Sequence, residues 1–406
     1  MKKNLIEVLS RSNLKSGMVA LAAGALLLTS CEPKRTVDNE AEARDEAKKV
    51  AGMDDELFPS GNPDTVNTTT TDTSMVRLKP TGAKPAWGST ITPPMQTVIE
   101  KLASYKAKPI PQLTAPQART NPTPTTAVMD LMKENNIPMP PSKVDTLGKM
   151  IPVQGGQIHA RVYTPKTGRA SYPVIVYYHG GGWVIADLDT YDGSARGLAE
   201  QADAIVISVA YRQAPEHKYP TAHNDAFAAY KWALTNVASM KGDAKNVAVV
   251  GESAGGNLAA AVSMMARDQK VQMPVHQVLV YPIAGYNTNT ASYQKYAQAK
   301  PLDKPMMEWF FKQYLNSPAD GKKPWIDLVN ANLKGLPPTT IVGAEIDPLA
   351  SEGQALAEKL KAAGVETDYQ KYNGVTHEFF GMATVLPEAK SAQAQAAMAL
   401  KQAFDN

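Results

Sequence analysis

The segment of this chain best suited to nucleophilic chemistry is Gly251-Glu252-Ser253-Ala254-Gly255-Gly256, a serine set among small residues. Residues 246–250 before it read as a short apolar strand and residues 257–267 after it as an Ala- and Met-rich helix. Ser253 therefore falls on a sharp strand-to-helix turn. Small neighbours allow such a turn to hold a strained backbone, which leaves the hydroxyl exposed at the end of a sheet. The plainer reading, a glycine-rich turn with an incidental serine, is weakened by a second motif. His179-Gly180-Gly181-Gly182-Trp183 follows the apolar run 174–178. Consecutive glycines let backbone N–H groups approach a carbonyl oxygen that is gaining negative charge.

A nucleophilic serine needs a base and an acid, and on a strand-turn-helix scaffold these follow in the order nucleophile, acid, histidine at the carboxyl ends of parallel strands. Beyond Ser253 the histidines are His276 and His377. His276 opens the predicted strand 277–281, which puts it at an amino end. His377 follows the predicted strand 368–372, in the turn 374–377, at a carboxyl end. Between Ser253 and His377 the apolar strand 338–344 runs out at Glu345-Ile346-Asp347-Pro348. Asp347 is the preferred acid, because the proline after it keeps its backbone extended and stops the strand there; Glu345 is the alternative. The bland readings are a solvated loop carboxylate for Asp347 and a packed core residue for His377.

Taken in order, these motifs resemble the bacterial hormone-sensitive-lipase-like esterases of the α/β-hydrolase superfamily. The resemblance runs from about Met95 to the C-terminus and includes Tyr211-Arg212-Gln213-Ala214-Pro215-Glu216, Tyr281-Pro282, and the runs 345–353 and 374–380. It implies a triad of Ser253, Asp347 and His377, with the N–H groups of Gly181, Gly182 and Ala254 as the oxyanion hole. His179 would shape the loop without transferring protons. The expected activity is hydrolysis of a small-molecule carboxylic ester, with short to medium acyl chains, through an acyl-enzyme and without a cofactor. Amide or peptide hydrolysis by the same triad is the alternative, and a non-catalytic binding protein on the same fold is the rival from another class. Two residues depart from the pattern: Glu252 stands where aspartate is usual, and Gln213 where leucine is common.

The elements that would position these groups read as an α/β fold. Residues 151–165 begin the sheet, and strands near Val174, Ala204, Val247, Val278, Thr339 and Asp368 alternate with helices, which predicts a mostly parallel sheet covered on both faces. Residues 95–105 and 127–135 read as helices around the proline-rich stretch 109–124. By the resemblance, residues 95–140 and 283–323 form a helical cap. The second piece contains Trp309, Phe310, Phe311 and Tyr314, read as packing the cap in preference to contacting the acyl group.

With 42 Lys and Arg against 39 Asp and Glu, the net charge of +3 gives no basic stripe for nucleic acid. A single cysteine excludes an internal disulfide and a zinc-type cluster, so no metal is expected. That cysteine is Cys31. A segment bearing Lys2, Lys3, Arg11 and Lys15, an apolar stretch 17–28 and Leu28-Thr29-Ser30-Cys31 precede and include it, which resembles a bacterial lipoprotein signal with lipid attachment at Cys31. The apolar run is shorter than the roughly 20 residues needed to span a bilayer. Residues 1–30 are thus expected to be a signal peptide, and residues 31–94, polar and threonine-rich, a disordered tether spanning ~40 Å. By that resemblance the expected location is the bacterial cell envelope. Glu32 and not aspartate follows the cysteine, which by analogy with lipoprotein sorting in some Gram-negative bacteria implies the outer membrane. The hydrolase domain is expected over residues 95–406.

Overall fold

The structure, a computed structural model, describes residues 78–405. Cys31, the expected signal peptide and most of the expected tether lie outside the described residues. Among the described residues no helix is long and apolar enough to cross a membrane.

Eight strands form one sheet: β1 (Val144–Val153), β2 (Gly156–Pro165), β3 (Tyr172–Tyr178), β4 (Ile205–Ala210), β5 (Gly242–Glu252), β6 (Gln277–Val280), β7 (Thr339–Ile346) and β8 (Thr367–Thr376). Their order is β1-β2-β4-β3-β5-β6-β7-β8. β2 pairs antiparallel with both neighbours, and every pairing from β4 to β8 is parallel. The central strands are apolar on both faces, as helices on both sides require. Along β3, Val174, Val176 and Tyr178 enter one core, while Ile175 and Tyr177 enter the other. That is the period of two expected of a strand.

The helices are α1 (Pro93–Ser104), α2 (Ala115–Ala118), α3 (Pro124–Glu134), α4 (Asp192–Ala202), α5 (Thr221–Asn236), α6 (Ala254–Asp268), α7 (Ala291–Lys295), α8 (Lys304–Tyr314), α9 (Ala350–Ala362) and α10 (Pro387–Asp405). Buried residues of α5, α6, α8 and α9 share the first core, and those of α1, α3, α4 and α10 the second.

Two expected boundaries need correction. The tether was expected to reach residue 94, but Leu78 and Ile91 are buried in the second core. The Thr92 N–H also donates to the Gly374 carbonyl at 2.9 Å. Apolar residues this far apart leave no periodic signal, so the segment reads as polar. The turn expected at residues 374–377 is mostly strand. β8 continues past Gly374, at φ 70°, and rejoins β7 through Ile346 and Thr376 after a register shift.

Candidate active site

β3, β5, β7 and β8 each deliver one part of the site at their carboxyl ends. β5 ends at Glu252, and Ser253 caps α6 with φ 57° and ψ −116°. A non-glycine residue there costs on the order of 1–3 kcal/mol and persists only where the surroundings enforce it. Its carbonyl accepts the N–H groups of Asn257 and Ile283 at 3.1 Å each, and its own N–H donates to Val280 O at 2.9 Å. The flanking glycine follows from close packing: a Cβ on Gly255 would lie 1.9 Å from the Tyr178 carbonyl oxygen.

β7 ends at Ile346 and presents Asp347; β8 ends at Thr376 and presents His377. His377 Nδ1 lies 2.7 Å from Asp347 Oδ2, and Nε2 lies 2.9 Å from Ser253 Oγ. All three residues are buried. The second carboxylate oxygen of Asp347 accepts the Leu349 N–H at 2.8 Å, which fixes the carboxylate plane. Burial works against protonating His377, but the charge and hydrogen bond of Asp347 outweigh it, with Glu378 and Glu252 adding to them, so its pKa is raised.

The alternatives are engaged elsewhere. Glu345 accepts the Thr90 hydroxyl at 3.0 Å and the Gly374 N–H at 2.7 Å, pinning the start of the domain to β8. His276, at the amino end of β6, lies 3.0 Å from the Thr340 hydroxyl, and burial lowers its pKa to about 4.

The loop after β3 carries His179, Gly180, Gly181 and Gly182. Gly181, at φ 92°, takes a conformation that a side chain would strain, and a Cβ there would lie 2.1 Å from the Ile185 carbonyl oxygen. Its carbonyl accepts the N–H groups of Val184 and Ile185 at 3.0 Å each. The Tyr211 hydroxyl reaches the carbonyls of His179 and Gly180 at 2.9 and 3.1 Å. With these carbonyls tied back, the N–H groups of Gly181, Gly182 and Ala254 have no protein acceptor among the described residues. They are available donors beside Ser253. His179 stacks on Tyr211 at 4.4 Å, and burial lowers its pKa to about 4, so it is a neutral structural ring at pH 7.

Several contributors had no distinct signal in the sequence. Tyr211 was legible as part of a motif, without its hydroxyl's task. Gln213 takes leucine's place by donating to the carbonyls of Ile185 and Ala186 at 2.9 and 2.8 Å. Glu252 is buried, accepting the hydroxyls of Tyr177 at 2.5 Å and of Tyr281; burial pushes its pKa up to about 7. Glu378, at φ 70°, accepts the Tyr191 hydroxyl at 2.7 Å.

A cavity of about 540 Å³ opens onto Ser253 and His377. Its apolar wall includes Ile99, Leu102, Ile110, Leu302, Met306 and Phe310, drawn from both segments expected as cap. The aromatic run therefore divides. Trp309, Phe310, Phe311 and Tyr314 are all buried in the first core, and Phe310 alone of them also lines the cavity. Among the described residues, no group of three or more His, Cys, Asp or Glu side chains could hold a metal ion.

Comparison with known proteins agrees with this architecture. A family model described as alpha/beta hydrolase fold matches residues 175–381. A carboxylesterase of Mycobacterium tuberculosis is 40% identical over 259 residues, covering 61% of this chain and 79% of its own length. An ethyl acetate hydrolase of Pseudomonas putida is 34% identical over 252 residues, covering 61% and 79%. Among solved structures, a hyperthermophilic esterase from the archaeon Pyrobaculum calidifontis superposes with a TM-score of 0.71 at 36% identity, covering 77% of this chain and 98% of its own. The chain belongs to the α/β-hydrolase family.

Proposed function

We propose that this protein is a serine carboxylesterase in which Ser253 is the nucleophile, His377 the general base and acid, and Asp347 the group that orients and stabilises the imidazolium. The observation that most supports this reading is the unbroken hydrogen-bonded run from Asp347 through His377 to Ser253, at 2.7 and 2.9 Å. His377 Nε2 takes the hydroxyl proton as Ser253 Oγ attacks the ester carbonyl. The resulting oxyanion accepts the N–H groups of Gly181, Gly182 and Ala254, each of which can be worth ~3 kcal/mol in the transition state. His377 then gives its proton to the leaving alcohol, and a water molecule repeats the sequence on the acyl-enzyme to release the acid. The relatives' printed names as carboxylesterase and ethyl acetate hydrolase point to the same reaction class. A predominantly apolar cavity of about 540 Å³ suits short to medium acyl chains.

Ser253→Ala should abolish fluorophosphonate labelling and lower p-nitrophenyl butyrate turnover by roughly a millionfold, by analogy with other triads. A folded variant that hydrolyses the ester at close to the parent rate would remove Ser253 from the mechanism.

We also propose lipid attachment at Cys31 and residence in a bacterial cell envelope. The support is sequence alone: basic residues, a short apolar stretch and Leu28-Thr29-Ser30-Cys31. Cys31→Ala should release the protein from the membrane fraction; unchanged partitioning would refute the anchor.

A further inference from the structure

Helix α8 does two jobs along one face. Met306 and Phe310 line the cavity beside Ser253. One turn further on, Tyr314 stacks on Trp183 of the glycine loop, with centroids 4.6 Å apart and planes 17° from parallel. Phe310 lies over the same loop so closely that a Cβ on Gly182 would come within 2.2 Å of its ring.

Trp183 has other restraints as well, its carbonyl accepting the Ala214 N–H at 2.9 Å and its ring lying 6.1 Å from that of Phe311, but the Tyr314 stack is the nearest ring contact it makes. Its backbone is left-handed, at φ 62°, and its buried indole N–H finds no acceptor among the described residues. No hydrogen bond from the ring fixes it, so packing sets its position. Behind it the column continues. The Tyr314 hydroxyl lies 2.7 Å from His223 Nδ1. The two rings stack at 5.9 Å, and Trp325 stacks on His223 at 6.0 Å. His223 Nε2 is 3.0 Å from Asn257 Oδ1, on the first turn of α6, and Asn257 Nδ2 donates to the carbonyls of Ile283 and Ile326. Burial lowers the His223 pKa to about 4, so the imidazole is neutral at pH 7. A neutral ring can donate from Nε2 to Asn257 and accept the Tyr314 hydroxyl proton at Nδ1. The end of α8 is held in turn by the Tyr219 N–H, which donates to Tyr314 O at 2.9 Å, and by Lys218 Nζ, which donates to Leu315 O at 3.1 Å.

We propose that Trp183, Tyr314 and His223 form a positioning column that ties α8 to the oxyanion loop, so that presentation of the Gly181 and Gly182 N–H groups depends on this helix. The inference rests on the oxyanion role given to those glycines above. Tyr314 and His223 are positioning residues: they act on the loop and not on the substrate.

The test compares p-nitrophenyl butyrate with its thiono analogue, whose sulfur accepts hydrogen bonds poorly and so draws less on the oxyanion hole. Tyr314→Leu, which removes the stack, should lower oxoester kcat roughly 10–100-fold, a partial loss of an oxyanion donor, with thionoester kcat falling less than about threefold and KM little changed. Tyr314→Phe keeps the stack and should retain at least about half of the oxoester kcat. Parallel losses on the two esters, or undiminished oxoester turnover in a folded Tyr314→Leu protein, would overturn the column. Should Tyr314→Leu fail to fold, Trp183→Phe weakens the same stack from the loop side, and the same selective loss is required of it. Fluorophosphonate labelling separates the two levels of argument. A parent enzyme that is not labelled at Ser253 overturns the nucleophile assignment itself, whereas a labelled parent with parallel losses overturns the column alone.

Discussion

Replacing Asp347 by asparagine removes one negative charge from a buried pair whose atoms are 2.7 Å apart and leaves the surroundings nearly isosteric. When His377 takes the serine proton, the imidazolium forms against that charge. At an effective dielectric of about 20 and a charge separation of ~4 Å, the attraction is on the order of 4 kcal/mol, or about three powers of ten in rate. Loss of the correct tautomer adds to this, and the same replacement in a known triad costs ~10⁴ in kcat. We therefore expect Asp347→Asn to lower kcat for p-nitrophenyl butyrate by roughly 10³–10⁴. The pH profile should move as well. The neutral imidazole is the active form, and in the parent its pKa is raised, because Asp347 outweighs burial. Parent kcat/KM should therefore rise with pH through a value above 6.5. Without Asp347 the burial effect is less opposed, and the ascending limb should shift to lower pH. Glu345→Gln is the control, because Glu345 holds Thr90 and Gly374 in place and does not touch His377. If Asp347→Asn kept more than about a tenth of the parent kcat, or if Glu345→Gln reproduced its loss and its pH shift, the assignment of the acid would be wrong.

Gly181→Ala puts a Cβ 2.1 Å from a backbone oxygen in a left-handed position, so the loop must move; kcat should fall by at least ~10², with a lowered melting temperature in calorimetry. Glu252 has a native pKa of about 7 against an ordinary 4.5, so the folded state holds this proton more tightly. Its contribution is fully present below pH 4.5 and is lost as pH rises through 7, a swing of ~3 kcal/mol by which the pH dependence from urea titrations between about pH 4 and 8 should be smaller in Glu252→Gln than in the parent. Phe310→Ala enlarges the cavity wall and should shift the preferred p-nitrophenyl ester toward longer acyl chains, read as kcat/KM across an acyl series.

The sequence by itself determined the local geometry of this protein. Gly251 and Gly255 beside Ser253, and Gly181 after β3, are demanded by close approach of backbone, whereas Gly180 and Gly182 make room for the side chains of Tyr191 and Phe310. The alternation of apolar runs with helical segments likewise gave a parallel sheet with helices on both faces. Chain order and strand ends then placed Asp347 and His377 at the rim where Ser253 lies. The tertiary structure decided what depends on encounters between distant segments. The 2.7 and 2.9 Å contacts that join residues 30 and 124 positions apart belong to this class. So do the burial of Glu252 between two tyrosine hydroxyls and the packing of residues 78–92 against the second core. The division of the aromatic run, with Phe310 in the cavity and Tyr314 on Trp183, could not be read from spacing. The physical reason is that an aromatic side chain buries comparable area in either setting, and only the partner ring and the facing backbone distinguish a cavity wall from a structural column.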